Sequence, residues 1–112
     1  MLYHKVESDL DEELWAMILE NEGREFQTLR RLSFTYTVKT SGKGEQLGEI
    51  IISRKTKTIT RATILLAYRN AEVVMAAESF VKGPKKLNVF GASYLYPIFL
   101  KLGLIKGQRD IQ

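Results

Sequence analysis

The sequence predicts a small α+β domain in which three helices pack on an antiparallel β-hairpin. Three observations carry that assignment. An i, i+4, i+8 apolar stripe opens the chain at Leu10, Leu14 and Ile18. The period then changes to alternation at Leu32, Phe34, Tyr36 and Val38. Helical spacing returns at Ile64, Tyr68, Ala71 and Met75.

The first helix is expected over about residues 9–22. Ser8 can cap it, and Asp9, Asp11, Glu12 and Glu13 suit the positive end of its dipole. Trp15 and Leu19 widen the apolar stripe, and Gly23 supplies a C-terminal stop. Strands are expected at about 26–39 and 48–53, joined through Gly42, Gly44 and Gly48 as a hairpin. The consecutive Ile50, Ile51 and Ile52 suggest burial on both faces of the second strand.

Thr58 or Thr60 can cap a second helix over about 60–77. Gly83-Pro84 then marks a turn, with Pro84 suited to the first position of a short helical segment. A third helix is expected over about 93–102. Pro97 requires it to begin no earlier than Tyr94 or to kink, and Gly103-Leu104 reads as its stop. Residues 106–112 are expected to form a loose tail on a single domain spanning 1–112.

Composition supports one ordinary core: 112 residues, 45% hydrophobic and 27% charged. The chain has no Cys, which removes disulfides, thiolate metal sites and a cysteine nucleophile. His4 is the only histidine, so histidine-based metal binding is not expected either. Met1–Val6 lacks the start of a secretory signal. The apolar runs Ile50–Ile52, Ile64–Ala67 and Tyr94–Leu100 fall short of the ~20 residues that span a bilayer. A cytoplasmic location without a membrane partner is expected.

Groups for catalysis are scarce. Ser93 lacks the second glycine of a nucleophile elbow, and a turn or cap role suits it better. Asp9, Asp11 and Glu13 lack the glycine and late glutamate of a calcium loop. Gly42, Gly44 and Gly48 are spaced one residue too far for a dinucleotide fingerprint and precede a strand instead of a helix. Neither an enzyme activity nor a cofactor nor a metal is expected.

The charge layout is more informative. Residues 1–26 carry a net −6 and residues 27–112 a net +10, which together give the chain's +4. Such an excess attracts polyanions, although it also serves solubility alone. Arg54, Lys55, Lys57 and Arg61 are interleaved with Ser53, Thr56, Thr58 and Thr60, and no carboxylate occurs between Glu49 and Glu72. Cations and hydroxyls are the usual phosphate-contacting groups, and they position a protein on nucleic acid without reading bases. Lys82, Lys85 and Lys86 form a second basic cluster.

The short turn at 84–88, the bend at 89–91 and the helix from about 92 follow helix-turn-helix order. Lys101–Ile105 also resembles the end of a winged-helix recognition helix. Pro97, the shortage of Arg, Asn and Gln and the lack of a following wing depart from that pattern, which assigns no family. Tyr94, Tyr96 and Phe99 suit a core better than a stacking platform.

The expected function is nucleic-acid binding, DNA or RNA, through Arg54, Lys55, Lys57, Thr58, Thr60, Arg61, Lys82, Lys85 and Lys86. That expectation requires the two basic clusters to meet on one face. The alternative is a protein-interaction module or small homo-oligomer, motivated by the acidic first helix and the basic body.

Overall fold

Alternation at Phe34 and Tyr36 between two helically spaced segments produces the α+β architecture in the computed structural model, which describes residues 7–54 and 56–108. Helix α1 (Glu7–Glu20) precedes five short strands: β1 (Phe26–Gln27), β2 (Ser33–Phe34), β3 (Tyr36–Thr40), β4 (Gln46–Ile52) and β5 (Thr58–Thr60). Helix α2 (Arg61–Glu78), a 3₁₀ turn (Pro84–Leu87) and helix α3 (Ala92–Lys101) follow. The strands form two antiparallel sheets, β1-β2 and β3-β4-β5. No helix among the described residues is long and apolar enough to cross a membrane.

The strand expected over 26–39 is divided into three. Arg31 N–H donates to the Thr28 carbonyl at 2.8 Å, and Leu32 N–H donates to Thr28 Oγ1 at 3.1 Å. This turn pairs Phe26 with Phe34 and leaves Leu32 exposed, although the alternation placed it inward. A second break falls at Thr35, where Ser53 takes both backbone groups through its Oγ and its N–H, each at 2.9 Å. Strand β5 was not expected. Three residues, Thr58-Ile59-Thr60, give too short a pattern to separate a strand from a helix cap, and pairing with Glu49–Ile51 decides it.

Helix α1 begins one residue ahead of Ser8, which is therefore helical and not a cap. Thr60 does cap α2, accepting from the Thr63 N–H at 3.2 Å. Pro84 opens the 3₁₀ turn as expected. Helix α3 starts at Ala92, one residue ahead of the expected 93, and carries Pro97 inside it. Pro97 takes away the N–H that Ser93's carbonyl would receive, and Ser93 is exposed. At the far end Gly103, at φ +74°, donates to Leu100 at 3.1 Å while Leu104 donates to Phe99 at 2.9 Å, a Schellman stop.

One core joins all layers. Leu14, Trp15 and Ile18 of α1 meet Phe26, Phe34, Tyr36, Ile50, Ile52 and Ile59 of the sheets and the buried run Tyr94–Phe99 of α3. Ile50 and Ile52 are buried and Ile51 is half-buried, so the isoleucine run buries one face and part of the other. Phe26 stacks on Phe34 and Tyr36 at 5.8 and 5.7 Å, and Phe34 meets Tyr94 edge-on at 5.1 Å. The hydroxyls of the buried Tyr36 and Tyr96 both find carbonyl partners. Tyr36 OH donates to the Ile18 carbonyl and Tyr96 OH to the Val81 carbonyl at 2.6 Å. Val81 N–H donates in turn to Lys106 at 2.8 Å, and Gly107 is buried. Of the tail expected over 106–112, residues 109–112 lie outside the described residues.

Candidate nucleic-acid interface

The first useful cation, Lys57, immediately precedes β5. Side chains of a strand alternate, so Lys57 shares a face with Ile59. Ile59 is buried under Gly91: a Cβ on that glycine would lie 2.6 Å from Ile59 Cδ1. Lys57 consequently reaches over the junction between the 3₁₀ turn and α3. Its Nζ lies 4.7 Å from the Phe90 ring centroid and 5.5 Å from that of Tyr94. These distances are within cation–π range.

The 3₁₀ turn positions the second. Asn70 Nδ2 of α2 donates to the Leu87 carbonyl at 2.7 Å, which ties the turn to the helix behind it. Lys85 then lines an open groove of about 700 Å³ together with Pro84, Asn88, Val89, Phe90, Ala92 and Ser93. No carboxylate occurs among these lining residues. Phe90 is 65% exposed, unlike Tyr94, Tyr96 and Phe99, which are core as expected.

The other expected residues are dispersed. Arg54 is exposed in the β4–β5 turn, and Lys55 lies outside the described residues. Thr58 is half-buried opposite Ile51, and the Thr60 hydroxyl is committed to Thr63. Arg61 Nε donates to Asp11 Oδ1 at 2.9 Å, and the guanidinium lies 5.4 Å from the Trp15 ring. Lys86 Nζ is 3.7 Å from Glu78 Oε2. Lys82 lines a separate cleft of about 1110 Å³ with Arg31 and Lys101, where Lys101 Nζ donates to the Glu25 carbonyl at 2.6 Å.

Among the described residues, the expected cations do not share one cleft. Of the expected site, Lys57 lies over the Phe90 ring, Lys85 lines the groove that this ring borders, Lys82 lines the other cleft, and Arg61 and Lys86 face carboxylates. The helix-turn-helix order also fails in space, because α3 buries Tyr94 to Phe99 and serves as a core helix.

Sequence reasoning placed none of Phe90, Asn88 and Ser93 at this groove. Only the aromatic-glycine pair Phe90-Gly91, following the left-handed Asn88 (φ +52°), marks the bend that turns the ring outward. Comparison of the chain with family models, curated proteins and solved structures gives no match.

Proposed function

We propose that this chain is a non-catalytic nucleic-acid-binding protein that grips the sugar–phosphate backbone at the groove beside α3. The observation that carries this reading is a groove lined by Lys85 and Phe90 with no carboxylate among its lining residues, with the Lys57 ammonium lying over that Phe90 ring. Both ammonium groups are point charges on flexible stems, suited to phosphate and indifferent to sequence. Arg54 extends the same charge along the neighbouring turn. The test is anisotropy with labelled oligonucleotides across a salt series. Replacing both lysines by glutamine should flatten the log–log slope by about 0.7–0.9 per lost phosphate contact. Removing one charge at Lys43, at the tip of the β3–β4 turn, should leave it unchanged. A profile flat in salt for the native chain overturns the reading.

Self-association is the second reading, and a different surface favours it. Leu66 and Val73 of α2 are 52% and 69% exposed on the outer face, flanked by Ala62 and Ala77. A two-fold axis between Arg69 and Asn70 would set Leu66 against the Val73 of a second antiparallel copy and Ala62 against its Ala77. That is the self-complementarity an isologous dimer needs. Solution mass decides: a concentration-dependent dimer that Val73→Lys abolishes supports it, and a monomer throughout removes it.

A further inference from the structure

Among the described residues, Phe90 is the one aromatic side chain of the large exposed apolar residues, and burial does not explain it. Its ring borders the groove that holds Lys85, Asn88 and Ser93, and the Lys57 ammonium lies over it at 4.7 Å. The residue is 65% exposed, so it is accessible from solvent where it borders the groove. We infer that Phe90 is a stacking platform for an unpaired base, so that the groove takes single-stranded nucleic acid. This inference rests on the nucleic-acid reading above and specifies the form of ligand.

The chemistry favours a single strand for three reasons. A free base presents a π-face that an exposed ring can cover, whereas bases inside a duplex already stack on each other. Lys57 lies over the ring and Lys85 lines the groove that the ring borders, which supplies cations for the phosphates next to a stacked nucleotide. Finally, the platform is held from below. Gly91 has room only for hydrogen over Ile59, and the Leu87 carbonyl is held by Asn70, so the bend that presents Phe90 is fixed at both ends. A fixed platform loses little conformational freedom on binding. Sequence preference should be weak, since every base has such a face.

The experiment uses the full chain and three labelled probes at low salt: an oligodeoxythymidylate, an abasic phosphodiester of equal length, and a duplex. The expected result is tighter binding of oligodeoxythymidylate than of the abasic strand or the duplex. Phe90→Ala should weaken the oligodeoxythymidylate about ten- to a hundredfold and leave the abasic strand unchanged. Phe90→Trp should restore or strengthen it, and Lys57→Gln should weaken both single strands. Circular dichroism of each variant checks the fold, which an exposed position should tolerate. Equal affinity for the abasic and base-bearing strands, or an unchanged oligodeoxythymidylate affinity in Phe90→Ala, overturns the stacking platform and leaves phosphate binding standing. Tighter binding of the duplex, insensitive to Phe90, does the same. Failure to bind any of the three probes overturns both proposals.

Discussion

Arg61 Nε and Asp11 Oδ1 meet at 2.9 Å, bridging the first residue of α2 to the acidic face of α1. A cation at a helix N-terminus is disfavoured by roughly 0.3–1 kcal/mol, and the carboxylate offsets it. In the sequence this arginine reads as a phosphate ligand. In the fold its anion belongs to the same chain.

Asp11→Asn should therefore cost up to about 1 kcal/mol, the value of a part-exposed ion pair. Urea midpoints measure that loss. The same variant should bind polyanions more tightly at low salt, and its salt slope should steepen by about 0.7–0.9 if Arg61 gains a phosphate. An unchanged slope would show that the freed guanidinium stays over Trp15.

Thr60→Ala removes the cap of α2 and should cost about 0.5–2 kcal/mol, with Thr60→Ser restoring most of it. Nucleic-acid affinity, measured where both variants are folded, should not change, because the hydroxyl is already bonded to Thr63. A large loss of affinity without loss of stability would return Thr60 to the interface.

Gly91→Ala should be among the most damaging small substitutions. The residue has φ +80°, which costs a non-glycine roughly 1–2 kcal/mol. The added methyl would also press on Ile59 Cδ1 at 2.6 Å, and such overpacking costs about 1–3 kcal/mol more. Chemical denaturation should show a loss of about 2–5 kcal/mol in all.

Tyr36 gives a pH signature. Burial first, and Glu22 second, push its hydroxyl well above the ordinary tyrosine value, with Arg24 acting in the opposite direction. The folded state therefore holds this proton more tightly than the unfolded state. Its contribution is full below about pH 10, the unfolded value, and falls as pH rises beyond it. Tyr36→Phe should cost about 0.5–1.5 kcal/mol at neutral pH by removing one hydrogen bond to the Ile18 carbonyl, which keeps the Asn21 N–H. It should also make the alkaline loss of stability shallower, which denaturation midpoints between neutral and strongly basic pH will register.

The helices were legible because each carries its signal locally. Leu14, Trp15 and Ile18 sit where their spacing puts them, Thr60 caps α2, and Gly103 closes α3. The strands were less so. The turn at Thr28–Leu32 depends on a threonine hydroxyl and on Arg31 at positive φ, a conformation that arginine does not advertise. The site was legible in composition and not in space. Charge interleaving selects Lys57 and Arg61 equally, yet one faces an aromatic ring and the other a carboxylate fifty positions away. Phe90 was missed since hydrophobic patterns assign aromatic residues to the interior, and only a bend formed by its neighbours turns this one outward.

The outer side of β3 is occupied by the segment that leaves α1. Gly23 N–H donates to the Tyr36 carbonyl at 3.0 Å, and the Glu22 carboxylate accepts from Val38 N–H at 2.7 Å. Two successive rungs that another strand would need are thereby filled from within, one of them by a negative charge. An incoming backbone has nothing to zip onto there, so crowded solutions of this molecule should not grow ribbons from that margin, however many isoleucines its middle strand contains.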